Sequence, residues 1–155
     1  MGSICLLAPV PEEHLASGLE TIKEHGRVVF GSRAWEIFRM LEETIKPNKT
    51  CEVLIYASDA RSLVNPPTVT WKAKYLGHSD STNGRHKDGL KYRPKSTMSY
   101  GADNLGHWAV FWEVSDLIHL PKSERLKVAD LLGYDKPRRY LKNFIPHGPT
   151  IVEKS

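Results

Sequence analysis

Cysteine is scarce in this chain: Cys5 and Cys51 are the only two in 155 residues. That number and separation exclude a disulfide framework, and neither residue has the paired spacing of a structural zinc site. Both lie in apolar, strand-like runs, where a free thiol packs as a small hydrophobe, and the chain reads as cytoplasmic. No apolar run approaches the roughly 20 residues of a membrane-spanning helix, so no membrane partner is expected. The Met1–Pro11 stretch has no basic residue ahead of its short apolar segment, which reads as a first strand rather than a secretory signal. Nucleophile elbows, phosphate-cradling glycine loops and dinucleotide fingerprints are all missing, and with them any assignable catalytic residue or cofactor. Thr70-Trp71-Lys72 puts threonine where a restriction-type nuclease needs an acid. His78, Asp80, His86 and Asp88 are close in sequence, but such side chains usually face water, and no metal site is assigned to them.

What is present is unevenly distributed. Residues 1–60 carry six Lys or Arg against nine Asp or Glu, residues 61–100 eight against two, and residues 101–155 eight against seven. The middle of the chain, at +6, therefore carries more positive charge than the whole chain's net +4, the pattern of an anion-facing surface. The alternative is a lysine-rich solvated loop that binds nothing. At 40% hydrophobic and 26% charged residues, the composition is that of one globular α+β domain spanning 1–155, without repeats or linkers.

Ile4–Pro9 reads as a buried strand. Pro11-Glu12-Glu13 opens a helix with carboxylates at its positive end, and Gly26 closes it. Arg27–Phe30 reads as a short strand. Ser32 is placed to cap a helix over 33–45, whose stripe is Trp35, Phe38, Leu41 and Ile45, stopped at Lys46-Pro47-Asn48. Cys51–Ala57, Val69–Leu76 and His107–Val114 read as strands, with a turn at Asn65-Pro66-Pro67 and a long irregular stretch over 77–106. Ser123–Leu132 reads as a short helix, and Ile145–Val152 as a turn and final strand. Consecutive strands with flanking helices predict a curled mixed sheet or small barrel.

The aromatic residues are of a kind that stacks nucleobases. Tryptophans stand at 35, 71, 108 and 112, joined by Tyr56, Tyr75 and Phe111. Over 71–95 they alternate with cations: Trp71, Lys72, Lys74, Tyr75, Lys91, Tyr92, Arg93, Lys95. Core packing is the competing reading of each strand tryptophan. A lysine–carboxylate pair for amide hydrolysis is also conceivable, from Lys72 or Lys74 with Glu113.

Several segments, in order, resemble the PUA-like superfamily and most of all its EVE branch, with YTH and ASCH proteins as relatives. They are Ile4–Pro9, Phe30-Gly31-Ser32-Arg33-Ala34-Trp35 leading into Phe38–Leu41, Glu52–Ser58 with Tyr56-Ala57-Ser58, Val69–Gly77, and Trp108–Leu117 with Leu120-Pro121. The chain departs from that pattern in a helix at 11–25 and in the basic loop 78–106. The resemblance implies a mixed β-barrel of five to six strands flanked by helices. It also implies a pocket for a base, modified or flipped from DNA or held from RNA. Carried over, Ser32, Arg33 and Trp35 would line the helix-side wall, Tyr56 and Ser58 the strand end, and Trp71 or Trp108 would stack. Lys72, Lys74, Arg85, Lys87, Lys91, Arg93 and Lys95 would take phosphates. The expected function is that of a monomeric nucleic-acid-binding module. The alternatives are an ASCH-type hydrolase of a modified nucleoside and a protein-interaction module.

Overall fold

A computed structural model describes residues 3–46, 50–58, 67–83, 85–99, 108–134, 146 and 148–154. Pro47-Asn48, Asn65-Pro66, residues 100–107 and Ile145, which carry parts of the sequence expectations, lie outside them.

Strand β1 (Ser3–Val10) leads through Pro11 into helix α1 (Glu12–His25), whose first turn carries Glu12 and Glu13 against the positive end of the helix dipole. Gly26 ends it at φ 79°, donating its N–H to Ile22 O at 2.7 Å, a left-handed cap that glycine adopts without strain. Strand β2 (Val28–Ser32) and helix α2 (Trp35–Thr44) follow, then β3 (Glu52–Ala57), β4 (Thr68–Val69) and the long β5 (Trp71–Asp80). After the basic loop come β6 (Val110–His119), β7 (Leu126–Lys127), β8 (Leu132–Gly133) and β9 (Thr150–Lys154).

Among the described residues seven strands form one sheet in the order β2-β6-β5-β3-β1-β9-β8, while β4 pairs with β7 in a second, two-stranded sheet. Every neighbouring pair in the large sheet is antiparallel except β1 and β3. Alternation along the strands sorts the side chains between two layers. Leu6, Ala8, Val53, Ile55, Trp71, Ala73, Tyr75, Val110, Trp112, Val114, Val28 and Phe30 pack in one core with Leu15 of α1 and Phe38 and Leu41 of α2. Phe38 stacks with both Tyr75 and Trp112, with ring centroids 6.5 and 6.0 Å apart. On the other face Cys5, Leu7, Leu54, Tyr56 and Val152 pack with Val69, Leu120, Val128 and Leu131.

The expected barrel is not formed. The sheet is open, ending at β2 on one side and at the two-residue β8 on the other. Closure requires the edge strands to pair across the lumen. Here α1, α2 and the bulky Trp112, Tyr75 and Phe38 fill the volume into which the sheet would have to curl. The helix expected over Ser123–Leu132 is also replaced, by 3₁₀ turns at Lys122–Glu124 and Val128–Asp130 around β7. Extended pairing of Thr68 with Lys127 and Val69 with Leu126, with Val128 N–H donated to Pro67 O, wins over local helix propensity. Ser32 ends β2 and accepts the Ala34 N–H at 3.0 Å, so the turn it stabilises precedes the helix, which Ala34 caps. Strand β5 runs on to Asp80, into the stretch read as irregular, and β6 lies later in the chain than the expected His107–Val114.

Cys5 and Cys51 are both free. Cys5 belongs to the outer cluster and Cys51 packs against the helical one, so they face opposite sides of the sheet. Burial pushes the Cys5 thiol up to about 12 and that of Cys51 up to about 11. Among the described residues no helix is long and apolar enough to cross a membrane.

Two glycines test the packing in opposite directions. A Cβ at Gly31 would stand 2.5 Å from the Trp108 ring, whereas one at Gly18 meets side chains at 3.5 Å or more. Gly31→Ala is expected to lower stability by about 1–3 kcal/mol through overpacking and to shift tryptophan emission. Gly18→Ala, inside α1, is expected to be neutral or to add up to about 1 kcal/mol. Chemical denaturation of both variants, followed by fluorescence, checks the pair.

Candidate nucleic-acid interface

The strand register fixes where the sequence-derived pocket residues go. Val110, at the start of β6, pairs with Ser32 on one side and Asp80 on the other. Two backbone hydrogen bonds extend this end: Ala109 N–H to Ser32 O at 3.0 Å and Ser81 N–H to Ala109 O at 2.9 Å. Ser32, Arg33, Trp35 and Trp108 therefore gather at one end of the β2–β6 pair. Trp35 is 45% exposed, with the Arg39 guanidinium 5.1 Å from its ring centroid, a cation–π contact. Half-buried Trp108 lies flat over Gly31, the residue that leaves room for it.

Tyr56, Ser58 and Trp71 lie at the opposite end of the sheet. Trp71 pairs with His119, at the far end of a ten-residue strand from Asp80, roughly 30 Å at a strand's rise per residue. Its indole is buried, stacks on His119 at 4.6 Å and donates to the Glu12 carboxylate at 3.2 Å. Tyr56 is buried and donates its hydroxyl to Pro146 O at 2.8 Å. Ser58 is exposed, and its N–H binds Val10 O at 3.2 Å. Trp112 is locked between Phe30 and Phe38.

The cations divide as well. Lys72 and Lys74 stand on the outer face of β5, beside Asp116 and the exposed Ile118 in an open depression of about 370 Å³. Arg85, Lys87 and Lys91 are exposed on the loop that leaves β5. This loop flanks the edge strand β2, where the Val29 N–H is donated to Tyr92 O at 2.8 Å. Arg93, 4% exposed, donates from Nη1 to Val29 O at 2.7 Å and lies over the Phe111 ring. Its guanidinium thus pins the loop to the sheet edge. Lys95 pairs with Glu24 of α1 at 3.1 Å, and Ser96 N–H binds Ser17 Oγ at 3.1 Å. Between α1 and the loop lies a cleft of about 300 Å³, lined by His25, Lys91, Arg93 and Lys95 among others.

Two contributors gave no sequence signal as site residues. Arg27, just beyond the α1 cap and outside the basic segment, lies 4.3 Å from the Tyr92 ring centroid, and Lys91 approaches the same ring at 5.1 Å. Hydrogen bonds from Arg27 and then Lys91 hold the Tyr92 phenol below the ordinary tyrosine range. Arg27 also binds Glu113 at 3.2 Å. The other contributor is Arg39, found only because α2 turns it back over Trp35.

Glu113, the carboxylate considered for a lysine pair, meets Arg27 and, at 3.6 Å, His86. It pairs in register with Gly77, while Lys74 pairs with Ser115. His78 and His86 point to opposite faces. His78 donates to Glu42 of α2, which also accepts the Tyr75 hydroxyl at 2.7 Å, and His86 packs edge-on against Phe111 at 5.4 Å. No group of three His, Cys, Asp or Glu able to hold a metal gathers among the described residues.

No protein-family model matches the chain, and no curated protein matches it.

His86 is the one buried histidine among the described residues, and burial, opposed by Asp88 and Glu113, lowers its pKa below the ordinary histidine value. The unfolded chain therefore binds the proton more readily than the native one. The stability that neutral His86 supports is present above pH about 6.5 and is lost as pH falls toward the native pKa. Thermal melts from pH 7.5 to 5 are expected to show a steeper loss of Tm in the wild type than in His86→Gln.

Proposed function

We propose that the chain is a nucleic-acid-binding module that takes a single-stranded segment of DNA or RNA along its β2 edge, without catalysis of its own. The observation that carries this reading is the meeting of two features on one edge. The exposed Trp35, with Arg39 and Arg33 beside it, and the half-exposed Trp108 stand where the cationic loop begins. The loop then carries Arg85 and Lys87 on either side of His86, which lies over Phe111 and Glu113 of β6, and brings Lys91 and Tyr92 to β2 at Val29. Aromatic faces that accept any base, next to a row of cations for the backbone, are what single-strand binding requires. Trp71, Tyr56 and Trp112, being buried, are assigned to the core in this reading. The resemblance of Phe30–Trp35 to EVE-type proteins supports the function without the barrel. Two free thiols, Cys5 buried and Cys51 half-buried, suit a reducing compartment such as the cytoplasm.

Gel-shift titrations with single-stranded oligonucleotides between 50 and 200 mM salt test the proposal. With about three phosphates neutralised, log K against log salt is expected to fall with a slope near −2. Lys87→Glu combined with Lys91→Glu is expected to flatten that slope. Trp35→Ala is expected to weaken binding by about 1–3 kcal/mol, the usual contribution of one stacked base, while leaving the slope unchanged. Absence of salt-sensitive affinity for any DNA or RNA overturns the reading, and an acidic protein retained after nuclease treatment would replace it.

A further inference from the structure

The basic loop is held over the outer face of β5 and β6 by one imidazole with an unusual set of neighbours. The His86 side chain is 1% exposed. Its Nδ1 accepts the Asp88 N–H at 3.1 Å, so in this state the ring proton is on Nε2. That Nε2–H is buried and makes no hydrogen bond, and the Ser79 hydroxyl on the same face of the sheet is likewise buried and unbonded. The nearest acceptor for Nε2 is Glu113 Oε1 at 3.6 Å, beyond hydrogen-bonding range. The other oxygen of Glu113 holds Arg27 at 3.2 Å. Phe111 and Tyr92 present edge-on contacts to the ring at 5.4 and 6.4 Å, and Arg93 lies over the same Phe111 ring at 5.3 Å. The charged and titratable groups around the imidazole are thus Glu113 of β6 and, through it, Arg27 from the turn before β2, with Lys87, Asp88, Tyr92 and Arg93 from the loop.

The turn carrying Lys87 is closed by the same residue. Gly89 N–H is donated to His86 O at 3.0 Å, with Gly89 at φ 66°, and Asp88 N–H to the ring itself. We propose that His86 is a proton-operated latch: a proton taken from solvent onto Nδ1 breaks its bond to the Asp88 N–H, draws the imidazolium onto Glu113, and loosens Glu113 from Arg27. A protonated Nδ1 has no lone pair to offer Asp88, and both ring nitrogens become donors with one carboxylate in reach. The loop gains one positive charge beside Lys87 and Lys91, and Arg27 loses part of its neutralising partner. Burial, which disfavours the charged ring, keeps the latch closed at neutral pH and sets its release on the acid side of an ordinary histidine. The effect on nucleic acid rests on the reading of the loop as its binding surface. The latch itself does not.

Two measurements on the full chain separate those claims. In ¹⁵N NMR without ligand, the His86 ring is expected to show the Nε2–H tautomer at pH 7.5. The Asp88 amide is expected to titrate with a midpoint below 6.5, and its hydrogen exchange to speed up on the acid side. Glu113→Gln, which removes the imidazolium's partner, is expected to move that midpoint further down, and His86→Gln to abolish the Asp88 titration. An Asp88 amide that does not move between pH 7.5 and 5 while the fold persists, or a midpoint unmoved in Glu113→Gln, overturns the latch even should His86→Gln fail to fold. In the second measurement, a single-stranded oligonucleotide is titrated at both pH values. The salt slope of the wild type is expected to steepen on acidification by about 0.7 more than that of His86→Gln, the single-strand increment for one further phosphate neutralised. Equal steepening in the two proteins overturns the coupling. An oligonucleotide that binds at neither pH sinks the nucleic-acid reading instead, and the Asp88 titration then judges the latch alone.

Discussion

The contact on which the proposed binding surface depends is the capture of the edge strand by the loop. A strand at the end of an open sheet presents unpaired N–H and C=O groups, which invite pairing with other chains. At Val29 of β2 both are taken from within the chain, the N–H by Tyr92 O and the carbonyl by the Arg93 guanidinium. A buried arginine with only its charge to offer would be costly. Here it bonds a carbonyl, lies on an aromatic ring and closes an edge at once. This fixes the loop's backbone while leaving Arg85, Lys87 and Lys91 pointing to solvent. One of the seven cations in the proposed phosphate set is thus structural, and it anchors the loop that carries Arg85, Lys87 and Lys91.

The four tryptophans show how a sheet with both faces covered blurs the difference between core and ligand-binding aromatics. Trp71 and Trp112 sit on the helical face, where Phe38, Trp112 and Tyr75 form a stacked layer between α2 and the sheet. Trp71 satisfies its N–H on Glu12, the carboxylate that opens α1, so a dipole-favoured helix start doubles as the partner of a buried indole. Trp35 and Trp108 stand at the β2–β6 end, one on a helix start and one against a glycine, and retain exposed surface. Residues of one type thus meet different fates, because the partner layer is absent from the sequence.

The shape of the sheet has a similar origin. Strand existence was readable from β-branched and aromatic runs at Ile4–Pro9, Cys51–Ala57 and Val69–Leu76, and so were both α-helices, from their stripes and, for α1, from Pro11 and Gly26. Whether those strands close was not readable. Closure depends on the edge strands meeting, and on what fills the inner face, which here is two helices and three large rings. The Ser123–Leu132 segment departs from its expected helix for a related reason: Val128, Leu131 and Leu132 stand at helical spacing, yet the extended path packs Val128 and Leu131 onto the outer face.

By itself, the sequence determined the element types, the concentration of positive charge between residues 61 and 100, the lack of catalytic and metal motifs, and the pool of aromatic residues from which any base-stacking surface must be drawn. These are local properties, set by backbone preference, periodicity and composition. Only the tertiary structure decided that the sheet stays open, that Trp71, Tyr56 and Ser58 lie at the opposite end from Ser32, Arg33, Trp35 and Trp108, and that Arg27 and Glu113 enter the surface of the basic loop. Each of these is a relation between residues distant in sequence, created by strand order and register. A one-dimensional pattern holds no information on which strand becomes its neighbour.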